Sequence, residues 1–215
     1  FYRIYRHGNT LRFPYYNESG QVVGFKIKTK SKDFHYEGGS SDQLFGQHLF
    51  PTSGKRIVIT EGELDAASCY EVMSGWPMVS LPHGAAAAKK DLQKAIPFLQ
   101  GYQEIVLFFD NDEAGREAVE SASSILPAGR VKIARLDAYK DASDALQADD
   151  KDAIRRAIWD AKPYRPDGIV DGKNLMSLVT EPTKTCDHEY PFTGLNDKLH
   201  GIRYGELTTL TAGSG

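Results

Sequence analysis

The stretch Ile105-Val-Leu-Phe-Phe-Asp110-Asn-Asp112 constrains this chain more than any other. Its five consecutive apolar residues, β-branched and aromatic, predict a strand buried on both faces. The run breaks at two aspartates separated by a single residue, and a helix-favouring segment from Glu113 follows at once. A buried parallel strand that ends in carboxylates places them at the C-terminal edge of an α/β sheet, where such folds bind ligands. Two carboxylates so close repel each other unless a cation lies between them, and Mg²⁺ is the usual hard ion for oxygen donors. Asp110 and Asp112 can equally cap the next helix through its first N–H groups. The motif alone leaves both readings open.

The flanking pattern supplies the sheet. Residues 57–60, 77–81, 104–109 and 130–136 read as strands, and 64–74, 85–98, 113–126 and 150–161 as helices. Pro97 is expected to limit the second helix, and a short further helix starts at Asp141. Strands alternating with helices imply a parallel sheet with right-handed crossovers. Glu61 then stands at the end of one strand and Asp110 at the end of another, on the same edge. That convergence favours the metal-site reading over the capping one.

The segment before this reads as β. Residues 11–16 and 21–28 flank the turn-rich Asn17-Glu-Ser-Gly20 and predict a hairpin. In the second strand Val23, Phe25 and Ile27 alternate with Lys26, Lys28 and Lys30, and Lys32 keeps the same parity. Four like charges on one face repel, which a polyanion such as triphosphate or nucleic-acid backbone would relieve. The plain alternative is a solvated edge face. The formal charge is −3, which argues against indiscriminate nucleic-acid binding, but it is unevenly spread. Up to Arg56 there are nine Lys and Arg against four acids, and beyond it 17 against 25. A basic front and an acidic remainder suit phosphates bridging cations and metal-bound carboxylates.

A chain of 215 residues can bury one sizeable core and a small appended unit. No apolar run is long enough for a membrane span, and no signal peptide is visible. Cys69 and Cys186 are the only cysteines, which excludes a zinc ribbon and a disulfide framework and suggests a reducing, intracellular setting. The first residue is Phe1, so a piece of a longer protein is expected. After Ala161 the pattern lapses into Lys162-Pro-Tyr-Arg-Pro-Asp-Gly168, which predicts a domain boundary. One or two helical turns are expected over 174–179. A strand over 205–211 leads into Ala212-Gly-Ser-Gly215, which can be the start of a P-loop or a flexible tail.

Together these residues resemble a known family. Thr60-Glu61-Gly62-Glu63-Leu64-Asp65, then Pro82-His83-Gly84-Ala85, then Phe109-Asp110-Asn111-Asp112-Glu113-Ala114-Gly115 are similar to the Toprim domain shared by primases, topoisomerases and related nucleases. The spacing, with Lys140-Asp141-Ala142-Ser143-Asp144, resembles the bifunctional primase–helicases of T-odd phages and their mitochondrial relative Twinkle. The resemblance implies an α/β Toprim fold, with a parallel sheet of about four strands flanked by helices. It divides the chain into a β-rich basic subdomain over 1–54, the Toprim domain over 55–162, a linker over 163–190 and the truncated start of a RecA-like helicase domain over 191–215.

The family's chemistry is primer synthesis: a DNA-directed RNA polymerase of primase type, in a parent chain that is also an ATP-dependent helicase. The resemblance gives catalytic roles to Glu61, Asp110 and Asp112, and metal binding to Glu61, Asp110, Asp112 and Asp141. Lys26 and Lys32 fall where the family's lysines contact nucleotide phosphates, with Lys28 between them where an Arg is common. His35 stands where another basic residue is expected. The implied cofactor is Mg²⁺, with Mn²⁺ able to replace it, and the substrates are NTPs. The implied partners are a single-stranded DNA template, a replicative DNA polymerase and further subunits of a hexamer or heptamer, without a membrane. The implied setting is the cytoplasm of a phage-infected bacterium or a mitochondrion.

The cysteines of the family's template-reading zinc module are missing, so weak or undirected priming is expected from this chain alone. Another reading is a Twinkle-like Toprim region that binds DNA and supports a helicase without synthesis. A topoisomerase would need a Tyr nucleophile in another domain, and nothing beyond the acidic motifs points to a nuclease.

Overall fold

The apolar run at 105–109 builds β7 (Tyr102–Phe108). In the computed structural model, β7 lies in the middle of a five-stranded sheet ordered β6-β5-β7-β8-β9. Its direct neighbours are β5 (Gly54–Thr60) and β8 (Val131–Ile133), with β6 (Met78–Ser80) beyond β5 and the two-residue β9 (Lys162–Pro163) beyond β8. β6, β5, β7 and β8 are parallel, and β9 pairs antiparallel with β8. The four parallel strands are those expected, each shifted at its ends by a few residues. Residues 1–31, 33–39, 42–165, 172, 176, 179–180, 186–209 and 211–213 are described. Lys32, most of the expected turns over 174–179 and Ser214-Gly215 lie outside them.

Both faces of the sheet are covered, so successive strand residues point into different cores. Ile57, Ile59, Ile105 and Leu107 pack with Leu92, Ala95 and Leu99 of α2 (Ala88–Leu99) and Ala118 and Ala122 of α3 (Glu113–Ser123). Val58, Val106 and Phe108 pack with Cys69 of α1 (Glu63–Val72), Ala142 and Ala145 of α4 (Ala142–Gln147), and Ile154 and Ile158 of α5 (Lys151–Trp159). Each fully buried Ile or Leu contributes about 1.5–3 kcal/mol, and the buried part of β7, Ile105 to Phe108, carries no polar residue. α2 runs through Pro97 to Leu99. Pro97 removes one N–H near the helix end, and the last turn closes through Gln100 N–H to Ile96 O at 2.9 Å.

The front segment forms a four-stranded antiparallel meander of β1 (Tyr5–His7), β2 (Thr10–Tyr16), β3 (Val22–Lys28) and β4 (Phe34–Gly38). The expected hairpin is its centre. The meander joins the second core through Phe13 and Tyr15, while Phe45 bridges Ser80 and Tyr2 Oη donates to Met78 O at 2.7 Å. The lysine face of β3 does not simply face solvent. Lys26 is as buried as much of the core at 7% exposure, because this face meets the α/β sheet's loops.

Arg165–Gly215 forms a second unit. Its described residues include the helix Thr193–Leu199 and a bridge between His188 and Ile202. Residues 206–209, expected as part of a strand, take no regular structure. Leu207 is 93% exposed, and no strand among the described residues pairs with this segment, so its backbone has no ladder to join. No helix among the described residues is long and apolar enough to cross a membrane.

Candidate metal centre

Register brings the acids together. Thr60 pairs with Phe108, so the chain leaves β5 at Glu61 and β7 at Phe109–Asp110 on one edge of the sheet. α1 starts at Glu63, with Gly62 as its cap, and turns Asp65 back over that edge. A Cβ on Gly62 would lie 2.7 Å from Asp65 Oδ2, so glycine there leaves room for the carboxylate. On the other side α3 approaches until a Cβ on Gly115 would lie 2.1 Å from the Asp110 carbonyl oxygen. Only glycine permits that approach. Asn111 then ties the loop to its neighbour, its N–H donating to Lys140 O at 2.8 Å and its side-chain amide to Leu136 O at 2.9 Å. This tether carries Asp141 to Asp110.

The result is a cluster of Asp65, Asp110 and Asp141, whose carboxylate oxygens lie within 4.8 Å of one another. An octahedral Mg²⁺ with oxygens at about 2.1 Å has neighbouring ligand atoms about 3.0 Å apart and opposite ones about 4.2 Å apart. The cluster needs only small side-chain adjustments to meet those distances. Its oxygen-only donors suit a hard divalent ion, and the electrostatics call for a cation. Burial, then the charge of Asp141, pushes the Asp65 carboxyl up to about 7. Burial also raises Asp110, partly offset by Lys140. Asp65 also accepts the Ser143 N–H at 2.9 Å, which fixes it against the start of α4.

The remaining predicted residues divide by role. Asp112 caps α3, accepting the Gly115 N–H at 2.9 Å, and that bond holds its carboxyl below the usual range. Asp141 caps α4 through the Asp144 N–H at 2.7 Å while also belonging to the cluster. Asp141 therefore combines a helix cap with a place in the acidic cluster, whereas Asp110 caps none of the described helices. Glu61 stands outside the cluster. Its Oε1 accepts the Ala85 N–H at 3.4 Å, and its Oε2 is buried with no hydrogen bond of good geometry among the described residues, although the nearby Asp110 backbone N–H partly stabilises the carboxylate. Burial first, and Asp110 second, raises the Glu61 carboxyl. A buried acceptor left open beside an acidic cluster is able to take a proton or a cation.

The lysines are not equivalent. Lys26 Nζ donates to Glu63 Oε1 at 2.7 Å and to Pro82 O at 2.9 Å. Tyr15 Oη donates to the same Glu63 oxygen at 2.7 Å, and Tyr36 Oη to the same Pro82 carbonyl at 2.6 Å. Lys26 is thus neutralised inside the protein and holds the Pro82-His83-Gly84 loop. Lys28 is half-buried, its ammonium 5.4 Å from the Phe34 ring centre, and Lys30 is exposed. His35 is exposed on β4, paired with Ile27.

Sequence reasoning missed Asp65, Glu63, Asn111 and Lys140. Asp65 could have been found, since it follows Glu61 by one helical turn and so returns to the same edge. Lys140 bridges Asp110 and Asp112 at 3.1 and 3.2 Å, and these carboxylates push its ammonium upward.

Residues 58–146, which contain the whole cluster, match the family described as Toprim-like. The chain is 41% identical to a DNA helicase/primase of Enterobacteria phage T3 over 94% of its own length and 36% of that protein. It therefore spans about a third of that relative. The crystal structure of the primase fragment of the bacteriophage T7 primase-helicase protein is similar at 39% identity and a TM-score of 0.66, over 70% of this chain and 63% of that one. A structure of the bacteriophage T7 lagging-strand DNA polymerase interacting with primase domains bound to an RNA/DNA hybrid and dTTP also contains a similar chain. That chain is 38% identical with a TM-score of 0.68, over 75% of this chain and 83% of its own.

Proposed function

We propose that this chain, which belongs to the Toprim-type primases of phage primase–helicase proteins, joins ribonucleotides into short RNA primers on single-stranded DNA. The observation that carries this reading is the Asp65, Asp110 and Asp141 cluster at the carboxyl edge of the parallel sheet. Primer extension sends a 3′ hydroxyl onto the α-phosphorus of an NTP and expels pyrophosphate. A divalent cation held there, Mg²⁺ or Mn²⁺, would stabilise negative charge on the attacking and leaving oxygens. Asp65, Asp110 and Asp141 would hold it, and Asp112 sets the loop by capping α3. Glu61, its Oε2 open, is placed to accept the hydroxyl proton or to bind a second cation.

Lys28 at the end of β3 and Lys30 in the turn after it serve the triphosphate, while Lys26 positions the loop beside Glu61. The partners proposed are single-stranded DNA, NTPs and a replicative DNA polymerase. A longer parent chain would add the helicase and a ring of six or seven subunits.

The test is to incubate the chain with NTPs, Mg²⁺ and random single-stranded templates, alongside Asp110→Ala and Glu61→Gln. Oligoribonucleotides that disappear in both variants support synthesis. Template binding without product would instead support a Twinkle-like binding role, and template cleavage a nuclease.

A further inference from the structure

Lys140 already occupies the acidic centre with a positive charge. Its Nζ lies 3.1 Å from Asp110 Oδ2 and 3.2 Å from Asp112 Oδ2, so one ammonium spans both acids of the Asp-Asn-Asp loop. The backbone beneath it is fixed. Lys140 O accepts the Asn111 N–H at 2.8 Å, and the next residue, Asp141, caps α4. The side chain is differently held, being 55% exposed on a flexible four-carbon stem. The ammonium can therefore leave the carboxylates without disturbing the loop that presents them.

Charge and distance decide which cation prevails. A divalent ion at about 2.1 Å attracts each carboxylate about three times as strongly as an ammonium at 3.1 Å under equal screening. Asp110, only 16% exposed, gains most from the stronger partner because burial raises the energy of its charged form. A divalent ion held at Asp110 would lie beside the Lys140 ammonium, and two cations side by side repel. Binding of a divalent ion to the cluster and retention of Lys140 on Asp110 are thus in competition.

We propose that Lys140 is an internal counter-ion: it holds Asp110 and Asp112 in the metal-free chain and is displaced from Asp110 when a divalent cation binds. This rests on the metal-dependent reading of the site. Lys140 is a positioning residue in this account, since it acts through Asp110. It keeps the carboxylates gathered before the cation arrives and weakens the cation's apparent affinity by the free energy of its own contacts.

The test is titration of the 215-residue chain with Mn²⁺ alone, followed by electron paramagnetic resonance of the free ion, for wild type, Lys140→Met and Lys140→Arg. Lys140→Met is expected to bind Mn²⁺ roughly three- to tenfold more tightly, in keeping with two partly exposed ion pairs removed. It is also expected to melt lower without metal and to gain more from saturating Mn²⁺ than wild type. Lys140→Arg, which keeps the charge, is expected to stay near wild type. Unchanged or weaker Mn²⁺ affinity in Lys140→Met overturns the counter-ion role. Asp110→Asn is the separate control: if it binds Mn²⁺ as wild type does, or if wild type binds none, the metal reading fails and takes the proposal with it.

Discussion

Lys26 and Glu63 form a 2.7 Å ion pair whose side chains are 9% and 4% exposed, joining the front meander to the first turn of α1. Removing one partner of a buried pair strands the other charge, which costs about 3–5 kcal/mol. Lys26→Met and Glu63→Gln are each expected to destabilise the chain by that order in urea unfolding. The double variant Lys26→Met/Glu63→Leu should lose much less than the sum. Strand alternation places Lys26 in a row of cations suited to a polyanion. The structure gives it an internal partner in Glu63, so a stability loss is expected from its removal. Equal stability of wild type and Lys26→Met would refute the structural role.

Asp65 gives the metal-free chain an unusual pH dependence. Burial, with Asp141 second, raises its carboxyl from an ordinary 3.8 to about 7. The folded state therefore binds the extra proton between those values, and this group's contribution to stability falls as pH rises through the window. Metal-free chain should be more stable near pH 5 than near pH 8 on account of this site, and divalent ion should narrow the gap. Asp65→Asn should stabilise metal-free chain at pH 8 by roughly 1–3 kcal/mol. Thermal melts with and without chelator check this, and a destabilised Asp65→Asn at pH 8 would contradict it.

Asp112 can be separated from the cluster by its cap. Asp112→Asn keeps an acceptor for the Gly115 N–H, whereas Asp112→Ala loses it at about 1 kcal/mol. Asp112→Ala alone should lose stability, while Mn²⁺ affinity should fall less in either variant than in Asp110→Asn. Loss of Mn²⁺ binding in Asp112→Asn as complete as in Asp110→Asn would move Asp112 into the primary ligand set.

Gly115 is required by close approach. Gly115→Ala places a methyl against the Asp110 carbonyl, so α3 or the loop must shift. A loss of roughly 1–3 kcal/mol is expected, with weaker Mn²⁺ binding because Asp110 moves. Wild-type values for both would show that the loop accommodates a Cβ.

Much of this arrangement was legible in the chain. The apolar run before Asp110 and the alternation of strands and helices placed Glu61 and Asp110 at one sheet edge, where they stand, and the family resemblance added Asp141, which lies beside Asp110 in the cluster. What escaped reading depends on pairing across distant segments. Lys26 read as one of a row of exposed cations because alternation gives the face and not what covers it. Its cover is Glu63 and Pro82, 37 and 56 residues away. Asp65 was overlooked because strand ends drew attention to residues immediately after them, although a helical turn returns the chain to the same edge. The strand expected over 205–211 has, at its described residues, no neighbouring strand among the described residues to pair with.

The most direct test is the Mg²⁺ dependence of oligoribonucleotide synthesis on random single-stranded templates, in wild type and Asp65→Asn. If Asp65, Asp110 and Asp141 hold the cation for nucleotidyl transfer, Asp65→Asn should need on the order of tenfold more Mg²⁺ for half-maximal rate. An Mg²⁺ dependence identical to wild type, or no Mg²⁺-dependent product from wild type at all, would contradict it.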